Sequence, residues 1–305
     1  MIMYYSIVTK NLFILLLFIS ITSCMGSKKA RVQQAINSSK ELLQQESKQM
    51  AATTQSKDQS LNQEKIDTTI NNRINERLNK FKRGMDSIDN EIAYLEQKLA
   101  NPKEFRKEYK GVITSKIILL ENYNNQSSLR IYKMKMVNEA IEIADKKLYE
   151  LAAFFGPGKY IIPEDKFDVA SVAFSPLVDS LMKFANKYDS IQSTATLVVN
   201  GFADGTGFST ESEMYQILLT YLKKTTASKE ELNQAISELR AQEISKLIEV
   251  ILQRKGTGFK AADKIKFHFY GYGQGETLPT KTITDYKADD ERRRIVLIYW
   301  IVLPE

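Results

Sequence analysis

A seven-residue repeat of apolar side chains in the first half of the chain constrains the fold more than any other feature. Its members alternate at intervals of four and three positions: Ile74, Leu78, Phe81, Met85, Ile88, Ile92, Leu95 and Leu99. This spacing places them on one side of an α-helix, and the residues between them are mostly charged or amidic. The pattern predicts a helix over residues 66–99 that packs against another helix. Pro102 either stops this helix or starts the next.

A second helical pattern follows the proline. It is weak around Phe105 and Tyr109 and becomes clearer from Leu129 through Leu148 to Leu151. Two amphipathic helices on either side of a proline predict an antiparallel hairpin over residues 63–155. Such a hairpin serves either as a spacer and self-association rod or as a helical domain with its own core, because periodicity alone does not separate these. Gly156-Pro157-Gly158 marks the end of the hairpin.

The N-terminal residues predict an export signal. Lys10 is the only charged residue before Cys24, and the apolar run from Leu12 to Ile21 has ten residues, whereas a bilayer span needs about 20. A signal peptide over residues 1–23 is therefore favoured over a transmembrane anchor. Ile21-Thr22-Ser23-Cys24 resembles a bacterial lipobox, which implies cleavage before Cys24, acylation of that cysteine and anchoring in the outer membrane of a diderm bacterium, facing the periplasm. The alternative is a chance cysteine.

Residues 24–62 are rich in Gln, Ser, Lys and Thr, and their few apolar residues keep no sustained period. Such a segment buries too little surface to offset the entropy of ordering it. We therefore predict a lipidated flexible tether here, with partial helicity as the alternative.

Composition excludes several classes of function. One His, one Cys and one Trp in 305 residues are too few for a metal cluster or a disulfide scaffold, so we expect no metal and no cofactor. The 43 Lys plus Arg exceed the 37 Asp plus Glu by little, and the two signs are interspersed. A nucleic-acid partner is therefore not expected.

The second half of the chain alternates strands with helices. Strands are predicted at residues 159–162, 196–202, 264–270 and 294–302, and helices at 176–188 and 230–254. The longer helix begins with Ser228 and, three positions later, Glu231, which is a capping-box pattern. This order predicts an α+β fold with helices packed on one sheet.

Short motifs occur in a fixed order along these elements. They are Gly201-Phe202-Ala203-Asp204-Gly205-Thr206-Gly207, then Asn233-Gln234-Ala235-Ile236-Ser237-Glu238-Leu239-Arg240-Ala241, then Gly271-Tyr272-Gly273 with Pro279, then Arg293-Arg294-Ile295. In this order they resemble the OmpA-like C-terminal domain, over residues 159–305. The resemblance implies a β-α-β-α-β sandwich that binds peptidoglycan without cleaving it. It further implies that Asp204 and Arg240 hold the ammonium and carboxylate of diaminopimelate in the stem peptide, with Gly207, Asn233, Ser237 and Arg293 in support.

Elementary chemistry agrees with that pairing. The head group of an amino acid is a zwitterion, for which Arg240 offers a planar fork and Asp204 an acceptor. Asn233, Ser237 and Arg240 lie at i, i+4 and i+7, on one helix face. The alternative is that Asp204 and Arg240 form a plain surface ion pair.

The motifs depart from the family pattern in three places. Phe202 and Ala203 replace the usual His and Thr, and Arg292 replaces an Asn. Between Gly207 and Asn233, where the family has a few residues, the chain inserts a longer segment with an amphipathic helix predicted around residues 211–224. A helix inserted at this point could cover the pocket.

No motif indicates catalysis. The glycines from Gly271 to Gly275 precede a loop rather than a phosphate-binding helix, and His268 alternates with phenylalanines in a strand. We therefore predict a non-enzymatic envelope lipoprotein that tethers the outer membrane to peptidoglycan, in contact with itself through the coiled coil or with other envelope proteins. The alternative is an interaction or scaffold protein of an envelope complex that has lost peptidoglycan binding.

Overall fold

The structure, a computed structural model, describes residues 2–150, 155, 158–278 and 285–305, with side chains from residue 26 onward except at 257 and 291. The chain forms two compact units. Unit 1 comprises Met1–Ala51 and Leu78–Tyr132, and unit 2 comprises Ala52–Arg77 and Lys133–Glu305. In the part of the chain that the structure describes, no helix carries an apolar stretch long enough to span a bilayer.

The first half of the chain is helical. Its elements are α1 (Ile2–Asn62), α2 (Thr68–Ala100), α3 (Pro102–Glu108), a π-helical turn (Tyr109–Ile113), α4 (Thr114–Asn125) and α5 (Ser127–Ile143). Pro102 starts a helix rather than stopping one. The Asn101 side chain accepts hydrogen bonds from the backbone N–H of Lys103 at 3.2 Å and of Glu104 at 3.3 Å, so it caps α3 while proline occupies the first helical position.

Six of the eight heptad residues of α2 are buried within the chain, and Phe81 and Leu99 are half-buried. Ile88, Ile92 and Leu95 belong to the core of unit 1. The rest of this core comes from α1, α3, the π-helical turn and α4: Val32, Ala35, Ile36, Phe105, Ile113, Ile117 and Leu120. Packing within one chain therefore buries this part of the seam.

The expectation of a flexible coil over residues 24–62 is wrong for the described residues, since α1 continues to Asn62. Its buried face includes Val32, Ile36, Ser39 and Glu46, with Ser39 0% and Glu46 1% exposed. These positions recur at helical spacing, but half of them are polar. Because the prediction followed apolar residues alone, it missed this face.

A hydrogen-bonded network explains how a carboxylate is tolerated in the core of unit 1. Glu46 accepts hydrogen bonds from Nε and Nη2 of Arg130 at 3.0 and 2.8 Å and from the hydroxyl of Tyr123. The Arg130 guanidinium stacks on the Tyr123 ring at 3.4 Å from its centroid. Burial, followed by the hydrogen bond to Glu46, raises the pKa of Tyr123. The buried charge is thus paired and satisfied.

Unit 2 contains a four-stranded mixed sheet. Its strands are β1 (Lys147–Glu150), β2 (Ser193–Gly201), β3 (Ile265–Gly273) and β4 (Ile295–Pro304), and its later helices are α6 (Phe167–Lys187), α7 (Glu213–Leu222) and α8 (Lys229–Arg254). The strand order is β1-β4-β2-β3, with β2 and β3 parallel and the other pairs antiparallel. Helix α8 packs on β2 and β3, and α6 packs on β4 and α8. The predicted α+β class is confirmed.

Two boundaries differ from the prediction. The first strand is Lys147–Glu150 rather than 159–162, because residues 147–150, expected to be helical, pair with Ile295–Ile298 of β4. Helix α6 begins at Phe167 and keeps Pro176 in its interior, since a buried face that starts at Ala170 stabilises the earlier turns. Leu151 and the predicted breaker residues Gly156 and Pro157 lie outside the described residues.

Candidate functional site

The candidate site lies where β2 ends and α8 begins. Ser228 caps α8 by accepting a hydrogen bond from the backbone N–H of Glu231 at 3.2 Å, while the Glu231 carboxylate accepts one from the backbone N–H of Ser228 at 2.9 Å. The predicted capping box is therefore confirmed. It fixes the start of the helix that carries Asn233, Ser237 and Arg240.

Four of the six predicted ligand-site residues line one cavity of about 460 Å³: Asp204, Gly207, Asn233 and Arg240. The cavity is also lined by the loop after β2, by Lys159 and by the start of α7. Ser237 and Arg293 are not among its lining residues. The loop motif and the helix motif, which are far apart in sequence, thus meet at a single concave surface.

Arg240 is the largest of the fully buried side chains, at 2% exposure. Its Nε donates to the carbonyl of Lys159 at 3.0 Å and its Nη1 to the carbonyl of Phe202 at 3.4 Å. Burial lowers the pKa of Arg240 to about 10, opposed by the negative charge of Asp204, so the guanidinium stays charged at neutral pH. Its remaining N–H groups have no partner among the described residues, and the side chain faces the cavity.

Asp204 pairs with a different arginine. Its Oδ2 lies 3.2 Å from Nε of Arg294, and its Oδ1 accepts hydrogen bonds from the backbone N–H of Thr206 at 3.1 Å and from the Thr206 hydroxyl. The alternative of a plain surface ion pair between Asp204 and Arg240 does not hold. Asp204 pairs with Arg294 instead, and Asp204 and Arg240 are both buried. The sequence analysis included Arg294 in the double-arginine motif but did not predict that it pairs with Asp204.

The remaining motif residues make hydrogen bonds that hold the loop after β3 in place. Ser237 is fully buried, accepts a hydrogen bond from the backbone N–H of Gly275 at 2.9 Å and donates one to the carbonyl of Gln234 at 2.8 Å. Asn233 donates from Nδ2 to Oε1 of Glu276 at 2.8 Å, and Arg293 donates to the carbonyl of Glu276. Ser237 and Arg293 thus hold the loop after β3 and do not line the cavity.

The inserted helix forms one wall of the cavity. Helix α7 is capped by Ser212, whose Oγ accepts a hydrogen bond from the backbone N–H of Tyr215 at 3.2 Å. Its apolar face is anchored by Leu218, which is 0% exposed and packs in a cluster with Ala203 and Ile236. Ser212, Glu213 and Met214 line the cavity. The insertion therefore contributes one wall of the site and places Glu213, a residue that the sequence did not single out, in its lining.

The lining residues are chemically complementary to a small charged ligand. A buried cation provides hydrogen-bond donors, and two carboxylates and an amide lie in the lining beside apolar residues such as Phe208, Met214 and Ile236. Since a charge buried in protein gains much from an opposite charge, the arrangement suits a head group that carries both signs.

Comparison with known proteins gives matches among solved structures. Neither protein-family models nor curated protein sequences match the chain. Among solved structures, a putative MotB-like protein from Desulfovibrio vulgaris matches with 16% identity and a TM-score of 0.28, over 52% of this chain and 73% of that one. The periplasmic domain of Helicobacter pylori MotB, residues 78–256, matches with 14% identity and a TM-score of 0.28, over 51% and 74%. A periplasmic domain of MotB, residues 64–256, matches with 13% identity and a TM-score of 0.26, over 51% and 62%.

Proposed function

We propose that this protein is a non-catalytic lipoprotein of the cell envelope that tethers the outer membrane to peptidoglycan by binding the diaminopimelate of the stem peptide. The observation that carries the proposal is the convergence of Asp204, Gly207, Asn233 and Arg240 on one cavity. These residues come from the two motifs that resemble the OmpA-like domain. The succession β1-α6-β2-α8-β3 also agrees with the β-α-β-α-β arrangement which that resemblance implies.

In this proposal Arg240 binds the free carboxylate of diaminopimelate and Asp204 accepts the ammonium group. Two carbonyls hold the guanidinium of Arg240 in place, so little side-chain entropy is lost when the ligand binds. Arg294 and Thr206 hold the Asp204 carboxylate in the same way. Both ligand charges would enter a largely desolvated site, where charge-assisted hydrogen bonds are strongest.

The binding test uses Arg240→Lys, which keeps the buried charge but removes the planar fork. We expect the affinity of the full-length protein for a diaminopimelate-containing stem peptide to fall about 30-fold, since losing a desolvated charge-assisted contact costs about 2 kcal/mol or more. Calorimetric titration measures this affinity. Arg254→Lys, on the same helix but outside the cavity, is the matched control and should bind as the wild type does.

Sedimentation with peptidoglycan sacculi tests the ligand class. The protein should co-sediment with diaminopimelate-type sacculi and not with sacculi in which lysine replaces diaminopimelate, because lysine at that position lacks the second carboxylate. Equal sedimentation with both types, or unchanged affinity of Arg240→Lys for the stem peptide, would contradict the proposal.

A second candidate function is an interaction or scaffold protein of an envelope complex that does not bind peptidoglycan. It is favoured by the inserted helix α7, which forms one wall of the cavity, and by Phe202 and Ala203, which depart from the family pattern. In that case the protein would remain in the supernatant with both types of sacculi and would copurify with envelope proteins after cross-linking in cells.

The membrane anchor is a separate proposal, resting on Cys24, whose side chain lies outside the described residues. Replacement Cys24→Ser should abolish incorporation of labelled palmitate, because Cys24 is the single cysteine of the 305 residues and the lipobox resemblance implies its acylation. The variant protein, followed by immunoblot, should also leave the outer-membrane fraction. Ser23→Ala is the matched control and should keep both properties; persistent labelling of Cys24→Ser would refute the anchor.

A further inference from the structure

Unit 2 contains a second and larger cavity, of about 770 Å³, between β1, β4 and α6. It lies apart from the candidate site, with which it shares no lining residue. Its volume is within the range of small-molecule sites, which are typically about 300–1,000 Å³.

The floor of this cavity is apolar and aromatic. It is formed by Tyr149, Leu177, Phe184 and Trp300. Leu177, Phe184 and Trp300 are 3%, 7% and 6% exposed, and the rings of Phe184 and Trp300 meet edge to face at 6.4 Å between centroids. Such a floor binds hydrocarbon and offers few partners to polar groups.

The apolar surface continues out of the cavity along α6. Val169 and Val172 are 58% and 72% exposed. They precede the lining residues Pro176, Ser180 and Lys183 at intervals of three and four positions, so all five share one face of the helix. Val169, Val172 and Pro176 thus form an apolar strip on α6 that extends beyond the cavity. A surface of this length suits an extended hydrocarbon chain better than a compact ring system.

The rim of the cavity is cationic. Three lysines line it, Lys147, Lys183 and Lys187, against one carboxylate, Asp145. Lys147 lies 3.2 Å from Asp145, and Lys187 lies 2.6 Å from Glu139, outside the lining. No ion pair joins Lys183 to any described residue. Its ammonium is therefore the group that an incoming anion would meet.

We propose that this cavity binds an anionic single-chain amphiphile, with the hydrocarbon chain along the floor and the α6 strip and the acidic head group at Lys183. This orientation of the ligand follows because the lysines lie at one end of a long apolar surface. The acidic head group would meet the lysines, and the hydrocarbon chain would lie along the apolar surface. A cationic amphiphile would meet like charge there, and a neutral one would lose the contact with Lys183.

The single Trp of the chain makes the proposal measurable, since Trp300 lies in the cavity floor. Bromine quenches indole emission only at short range, so a dibrominated fatty acid added to the full-length protein below its micelle concentration should quench Trp300 saturably. The dibrominated fatty alcohol and fatty amine of equal chain length should quench more weakly at the same concentration.

Two variants locate the site. Lys183→Gln should raise the apparent Kd for the fatty acid about three- to fivefold, as expected for one solvent-accessible ion pair, and leave the alcohol unaffected. Ser180→Phe, at an exposed lining position, should fill the cavity and abolish quenching while the melting temperature is retained. Lys166→Gln, which replaces an exposed lysine immediately before α6 and outside the cavity, is the matched control.

The proposal is overturned if the fatty acid fails to quench Trp300. It is also overturned if the alcohol or the amine quenches as well as the acid does, or if quenching survives in Ser180→Phe. None of these outcomes depends on peptidoglycan binding, so the inference stands or falls independently of the proposed function.

Discussion

Replacement of Gly201 by alanine is expected to destabilise unit 2 by about 3 kcal/mol or more, the upper range for overpacking a close-packed site. A Cβ atom at this position would lie 2.1 Å from the backbone carbonyl oxygen of Ser237 and 3.3 Å from Cβ of Ala241. Because the nearest obstacle is backbone, no side-chain rotation relieves the clash. The end of β2 would have to move away from α8, and the loop that carries Asp204 would move with it.

Gly273 should behave in the same way from the neighbouring strand. A Cβ there would lie 2.5 Å from the carbonyl oxygen of Gln234 and 2.6 Å from Oγ of Ser237. Unfolding by chemical denaturant, followed by far-ultraviolet circular dichroism, measures both variants. Gly256→Ala is the matched control, since a Cβ at Gly256 would meet no atom within 4 Å. Losses below about 1 kcal/mol for Gly201→Ala and Gly273→Ala would show that the helix and the sheet are not in this close contact.

These contacts explain why the sequence motifs predicted the fold better than the ligand site. Gly201, Ser237 and Gly273 belong to the motifs, yet in the structure they hold two strands against α8. Asp204 and Arg240 belong to the same motifs and face the cavity. Residue type and spacing do not distinguish the two roles, because both require particular small or polar side chains at fixed helical intervals.

The prediction worked best where burial follows hydropathy. The apolar face of α7 gave a helix around residues 211–224, and the structure has Glu213–Leu222 packed through Leu218. It was least accurate where polar side chains are buried, as at Ser39 and Glu46 in α1. Burial of these groups depends on partners such as Arg130, 84 positions away from Glu46, which no local pattern reveals.

The edge strand illustrates a second limit. Lys147–Glu150 has mostly exposed side chains and carries no period-two alternation of apolar residues. It is a strand because β4 offers it a hydrogen-bonding edge, in register with Ile295–Ile298. Tertiary pairing thus overrides the helical preference of the local sequence. A fragment that began at residue 159 would lack this strand.

The second large effect is expected at Asp204, and it concerns stability as well as binding. Asp204→Ala should lower the free energy of unfolding of unit 2 by about 3–5 kcal/mol, because it leaves the guanidinium of Arg294 buried without its carboxylate. The side chains of Asp204 and Arg294 are 12% and 10% exposed, so water screens the remaining charge poorly. Asp204→Ala should therefore fail to bind stem peptide, because unit 2 is less stable and because the acceptor for the ammonium group is absent.

A double-mutant cycle separates the ion pair from the ligand contact. Combining Asp204→Ala with Arg294→Met removes both charges, and the double variant should recover much of the stability lost in Asp204→Ala. It should still not bind the stem peptide, since the acceptor for the ammonium group is absent. Thermal and denaturant unfolding measure the first property, and calorimetric titration measures the second.

The outcome for the double variant decides the role of Asp204. If stability returns and binding does not, the carboxylate serves both the framework and the ligand, as its contacts with Arg294 and its place in the cavity lining indicate. If binding returns as well, Asp204 contributes only to folding, and the ammonium acceptor must be sought elsewhere in the lining. Glu213, the carboxylate that α7 adds to the cavity, is then the residue to replace next.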